Sequence, residues 1–92
     1  MPEVRFVIRW PDRREERCYS PSTVVHEYLR AGERYPLADF LARSERALER
    51  ASERVRARYG HACTSAQAQL ESLRRTAAGR PDGDVHVLSM TT

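Results

Sequence analysis

Two side chains near the middle of the chain have the types needed for nucleophilic chemistry: His61 and Cys63, which share the segment Gly60-His61-Ala62-Cys63. A helix is expected to begin just beyond Cys63, and a helix N-terminus stabilises a thiolate and so activates a cysteine. Arg54, Arg56 and Arg58 precede the segment, on the last turns of another expected helix. Arg54, Arg58, His61 and Cys63 therefore form a corner where an anion would be held jointly by guanidinium groups and free backbone N–H groups. Each residue also has a plainer role. On that reading the thiol would be packed, the imidazole exposed, and the arginines would complement the negative end of a helix dipole.

Other chemistries lack their residues. A zinc site needs about four Cys/His ligands in paired spacings, and here only His61-x-Cys63 is close-set, with Cys18, His26 and His86 scattered. Ser20 and Ser22 flank Pro21, a position that suits capping of a helix better than nucleophilic attack. Glu15 and Glu16 point to opposite faces of an expected strand and so cannot share a proton. The 4 glycines, Gly32, Gly60, Gly79 and Gly83, each stand alone, so no phosphate-cradling loop exists. No catalytic residue, metal ligand or cofactor motif is assigned, and the residues give no basis for calling the chain an enzyme. Trp10 and Tyr19 would stack a nucleobase if a sheet face were open, although aromatic residues at strand ends more often serve the core.

The charge balance bears on the same question. The 92 residues hold 16 basic side chains, every one an arginine, against 13 acidic ones, a formal charge of +3. Clustered cations favour polyanions by releasing counterions, yet these arginines are interleaved with Glu15, Glu16, Glu45, Glu49, Glu53 and Glu71. Nucleic acid is thus not the expected partner. At this length the chain forms one domain. It has no apolar run approaching the roughly 20 residues of a membrane span. It opens directly into an arginine-bearing strand, so a cytoplasmic protein with no membrane association and unpaired thiols is expected.

The elements that must position these residues follow from periodicity. Val4, Phe6, Ile8 and Trp10 alternate with Arg5 and Arg9, predicting a strand over about 4–10. Pro11-Asp12 makes a turn, and a second strand over about 15–19 completes a hairpin, at the sheet edge because its alternation is weak. Ser20 caps a helix over about 22–29 that Gly32 ends. Leu37, Phe40, Leu41, Ser44, Leu48, Ala51, Val55 and Tyr59 form the stripe of a long helix over about 37–58. On its outer side Arg46–Glu49, Arg50–Glu53 and Glu53–Arg56 are spaced to pair. Thr64 and Gln67 match a capping box opening a helix over about 65–78, and a last strand spans about 85–90. The expected fold is α+β. The hairpin and the last strand, set beside the first, form a three-stranded sheet packed against a short helix and a long helical hairpin.

The chain as a whole resembles a family of small bacterial nitrogen-starvation-response proteins. The likeness lies in Arg9-Trp10-Pro11-Asp12, Cys18-Tyr19-Ser20-Pro21-Ser22, Tyr35-Pro36-Leu37-Ala38-Asp39-Phe40 and the stretch from Ala51 to Gly60, together covering about residues 1–73. The chain departs from the family at the hairpin, where a glycine follows Pro-Asp in the family and Arg13 stands here. The resemblance implies a setting beside nitrilase, radical-enzyme, acetyltransferase and flavoprotein genes linked to nitrile or cyanide nitrogen, and it implies no catalytic residue. Its motif positions extend the candidate ligand or partner surface to Cys18, Tyr19, Arg54, Arg58, Tyr59, His61 and Cys63. The leading expectation is an accessory protein that binds a partner protein or a second copy of itself. A small anionic ligand or an enzymatic role at the Arg54/Arg58/His61/Cys63 corner is the alternative, and a nucleic-acid-binding module comes third.

Overall fold

Alternation makes β1 (Val4–Arg9) a two-faced strand, with Val4, Phe6 and Ile8 buried and Arg5 and Arg9 exposed. The computed structural model describes residues 3–60, 64–79 and 82–92. β1 is followed by β2 (Glu15–Ser20), a five-residue 3₁₀ turn (Thr23–Glu27) and β3 (Arg34–Pro36), then by α1 (Leu37–Tyr59), α2 (Thr64–Ala78) and β4 (Asp84–Thr91). The strands pair antiparallel in the order β2-β1-β4-β3. The fold is α+β as expected, with β2 at an edge and the last strand beside the first. No helix among the described residues is long and apolar enough to cross a membrane.

The sheet has four strands where three were expected. β3 is only three residues long, too short to show alternation. It ends in Pro36, whose missing N–H is tolerated on an edge strand. The same proline sits at the start of α1, where the Leu37 N–H donates to the Gly83 carbonyl at 2.9 Å and so satisfies one of the helix's orphan donors.

The segment expected as a helix over 22–29 is a 3₁₀ turn, and its cap is Ser22, whose hydroxyl accepts from the Val24 N–H at 3.3 Å. Ser20 serves one step earlier, donating to the Ser22 carbonyl at 2.8 Å. Val24 and Val25, both buried and β-branched, disfavour an α-helix. The hydroxyl contacts tighten the chain into i→i+3 bonding. Gly32 lies beyond this turn, at φ 88° on the way into β3. α2 is already helical at Thr64, so that threonine lies inside the first turn, and the residue a capping box would need ahead of it lies outside the described residues.

The core lies between one face of the sheet and the helices. Phe6 and Ile8 from β1 and Trp10 just after it meet Phe40 and Leu48 of α1, Leu70 and Leu73 of α2, and Val85 and Val87 of β4. Burying each large apolar side chain contributes about 1.5–3 kcal/mol. Trp10 packs edge-on to Phe40 at 5.8 Å between ring centroids and donates its indole N–H to Glu16 Oε1 at 3.1 Å. Along α1 the buried stripe runs through Phe40, Ser44, Ala47, Leu48 and Ala51 and stops there. Tyr59, expected on that stripe, is 54% exposed because the helix outruns the sheet that would cover it. α1 ends as expected at Gly60, in the left-handed conformation with φ 83°.

Candidate functional site

The helices and the 3₁₀ turn cover one face of the sheet, and the alternation of β1 and β2 leaves the other face bare. Across that face the register aligns residues far apart in sequence. Arg5 lies opposite Tyr19 of β2 and Thr91 of β4, and Val7 opposite Arg17 and Ser89. Arg9 lies opposite Glu15 on one side and His86 on the other, and His86 faces Arg34 of β3. A β-bulge between Val7 and Ile8 against β4 leaves Leu88 as the extra residue and restores the alternation on either side of it. The face thus carries Arg5, Arg9, Arg17 and Arg34 around Val7 and Tyr19.

Two hollows mark its ends. The one lined by Arg5, Val7, Arg17, Tyr19, Ser89 and Thr91 measures about 220 Å³. Arg5 stacks its guanidinium over the Tyr19 ring at 5.9 Å and pairs with Glu3 at 3.2 Å. The hollow at the hairpin end measures about 400 Å³, and Arg9, Arg13, Arg34, Asp84 and His86 line it beside Trp10 and Pro11. Here Arg9 pairs with Glu15 at 3.0 Å. No ion pair or side-chain hydrogen bond reaches Arg13 or Arg34 among the described residues.

The wall of this larger hollow is built by local backbone chemistry. Trp10 and Arg14 close the hairpin, with the Trp10 N–H donating to the Arg14 carbonyl at 2.8 Å and the Arg13 N–H to the Trp10 carbonyl at 2.8 Å. Asp12 Oδ1 accepts from the Arg14 N–H at 3.2 Å. That is a three-residue loop whose last residue, Arg13, takes φ 72°, the left-handed conformation normally given to glycine. Gly83 adopts φ 153°, and a Cβ there would come within 2.8 Å of the Pro11 Cβ. This close approach seats Gly83 against the hairpin turn, and Asp84 after it lines the same hollow as Arg13.

Of the residues singled out from sequence, those described lie apart, Cys18 and Tyr19 on β2 and Arg54, Arg58 and Tyr59 on α1. Cys18 lies on the core side of β2, 4% exposed, and burial, with Glu16 adding to it, pushes its thiol well above the ordinary range. A thiol held un-ionised in this way is a poor nucleophile, although Cys18 is among the residues lining the hollow beside Tyr19. Tyr19, its neighbour, points to the bare face. Trp10 is buried, so it cannot stack a nucleobase. Arg54 sits 4.0 Å from Glu27, and Arg58 lies over the Tyr59 ring at 5.9 Å. His61 and Cys63 lie outside the described residues.

The pairs expected along α1, Arg46–Glu49, Arg50–Glu53 and Glu53–Arg56, do not close to ion-pair distance. Of these residues Arg50 reaches off the helix instead, donating to the Tyr28 hydroxyl at 3.5 Å, and the neighbouring Glu45 meets Arg74 of α2 at 2.8 Å. Arg43 joins Asp39 at 2.9 Å, the Tyr28 carbonyl at 3.1 Å and the Tyr35 ring at 4.8 Å, riveting α1 to β3 and the turn before it. Among the described residues no group of three His, Cys, Asp or Glu side chains could hold a metal ion.

Sequence reasoning missed the row Arg9–His86–Arg34, since its alignment depends on β4 lying between β1 and β3. One signal was available: an arginine where the turn chemistry asks for glycine.

Comparison with known proteins adds one result. A family model described as nitrogen starvation-induced protein NitG matches residues 5–90. No curated protein and no solved structure matches the chain.

Proposed function

We propose, from the premise that this chain belongs to the NitG family of nitrogen starvation-induced proteins, that it is a non-enzymatic accessory protein whose work is to bind an acidic partner protein. The observation that carries this reading is the bare sheet face. It offers Arg5 and Arg17 around Tyr19 and Val7, the mixture of guanidinium, aromatic ring and apolar floor that dominates interface energetics. The edges are poorer docking sites. On β2 the Tyr19 N–H is already taken by Gln69 Oε1 at 3.0 Å, and β3 is short and ends in proline. Face docking is therefore favoured over strand addition.

An acidic protein surface suits the face better than a nucleic acid does. Arg5 and Arg9 are already partly neutralised by Glu3 and Glu15, and Trp10 is unavailable for stacking. The pathway served is that of nitrogen starvation, with nitrile utilisation as its specific setting; the enzymes of that pathway are the candidate partners.

The test is affinity capture from nitrogen-starved cells with the wild-type chain and with Arg5→Glu/Arg17→Glu. Both positions are exposed, so the fold is kept. The wild type retains a protein that is released by rising salt, and the charge-reversed variant does not retain it. Equal capture by both, or capture of nucleic acid alone, contradicts the reading.

A further inference from the structure

The hairpin end of the same sheet face points to a small-molecule site, separate from the Arg5/Arg17 end that carries the partner reading. The hollow at the hairpin end, about 400 Å³, falls within the range of pockets that hold small ligands. Arg9, His86 and Arg34 stand in one register row across β1, β4 and β3. The two arginines are roughly 10 Å apart at the backbone, two inter-strand spacings. Their long side chains can converge over the imidazole between them. Arg13 reaches the same hollow from the turn, and neither it nor Arg34 has an ion-pair partner among the described residues. Two unneutralised guanidinium forks in one concavity ask for an anion with at least two charges.

The backbone at Arg13 strengthens this reading. The residue sits at φ 72°, where glycine is strain-free and a side chain is not. Strain kept at one residue whose side chain lines a cavity is the pattern expected where that side chain has a task. Asp84, also in the lining, would repel a ligand anionic on every side. It favours one that turns a hydroxyl or amino group towards it.

We infer that the Arg9/Arg13/Arg34/His86 hollow binds a small organic dianion, a phosphate monoester or a dicarboxylate, that also carries a hydrogen-bond donor to meet Asp84. The two anion types share the chemistry of bidentate recognition by guanidinium, and separate titrations tell them apart.

The experiment is a two-dimensional NMR titration of the ¹⁵N-labelled chain at low ionic strength. The probes are glycerol 3-phosphate, L-malate, succinate and methyl phosphate, with sodium chloride as the ionic-strength control. Saturable shifts are expected at Arg13, Arg14, Arg34 and His86 with glycerol 3-phosphate or L-malate, whichever anion type the site takes. The matching dianion without a donor, methyl phosphate or succinate, binds more weakly.

Two variants complete the test. Arg13→Gly removes one guanidinium and relieves the left-handed strain, so affinity drops at least about tenfold, the loss of one charged bidentate contact, while Tm holds or rises. Arg34→Gln leaves the turn untouched and weakens binding by a similar factor. Shifts no larger than those with sodium chloride overturn the inference, as does undiminished binding by both variants. Tighter binding of a single-stranded oligonucleotide than of any small dianion overturns it too.

Discussion

Three residues in this chain are placed where their own chemistry is ill served, and each yields a measurable consequence. Ser44 is buried in α1 with its hydroxyl unpartnered. Ser44→Ala removes the unsatisfied group and improves helix propensity, so stability rises by about 0.5–1 kcal/mol, visible as a higher thermal midpoint.

Cys18 is the second. Its folded-state pKa lies above the ordinary value of 9.0 because the thiol is buried, next to Glu16. A group with a raised folded pKa gives its full stability below the unfolded pKa and loses it as pH rises further, because the unfolded chain ionises while the fold stays protonated. Unfolding free energy therefore falls above about pH 9, by up to about 1.4 kcal/mol per pH unit. Cys18→Ala costs about 1 kcal/mol at neutral pH but flattens that alkaline slope relative to wild type in denaturant titrations. Parallel alkaline slopes would show that the thiol is not responsible. Arg13 is the third. Its left-handed backbone costs about 1–2 kcal/mol, and the extra freedom that glycine gives the unfolded chain, about 0.4–1 kcal/mol, offsets only part of the strain that Arg13→Gly relieves, so the thermal midpoint holds or rises.

At the scale of elements, what could be read from sequence depended on length. β1 announced itself by alternation, β2 by following the Pro11-Asp12 turn despite weak alternation, β4 by an apolar-rich run after a polar link, and α1 and α2 by stripes bounded at Gly60 and Gly79, long enough for their period to repeat. β3 was invisible because three residues cannot show a period, and Arg34 became an edge position only once Tyr35 paired with Val85. The short helix became a 3₁₀ turn for a reason confined to Ser20, Ser22 and two valines.

The candidate site was less legible than the fold. Its row joins positions 9, 34 and 86, and such long-range register is written in no local pattern. Contact between the two loops at the hairpin end is equally non-local, resting on Gly83 against Pro11. Gly83→Ala drives a Cβ to within 2.8 Å of that proline, in a backbone conformation few side chains adopt, and destabilises the fold by about 1–3 kcal/mol. Chemical denaturation reads the loss directly, and an unchanged midpoint would mean that the two loops do not meet.

Taken whole, the molecule keeps unpaired arginines on both layers. On the helices Arg43, Arg50, Arg54 and Arg74 are spent on Glu27, Asp39, Glu45 and the hydroxyl and carbonyl of Tyr28, while Arg46, Arg56, Arg58 and Arg75 are exposed with no ion-pair partner among the described residues. Those on the bare sheet face include Arg13, Arg17 and Arg34, which have no ion-pair partner among the described residues. A formal charge of +3 spread through 92 residues does not by itself choose a docking surface, and the account of function rests on the sheet face because only there do Tyr19 and Val7 lie between the guanidinium groups of Arg5 and Arg17. Because every basic side chain is an arginine, a single arginine-selective reagent reports on all of them at once. Phenylglyoxal footprinting by mass spectrometry, on the free chain and on its complex with the protein captured from nitrogen-starved cells, is the most direct test. Protection concentrated at Arg5 and Arg17, with Arg46, Arg58 and Arg75 on the helices as reactive as before, is the predicted result. Protection on the helices with the sheet face left reactive would contradict it.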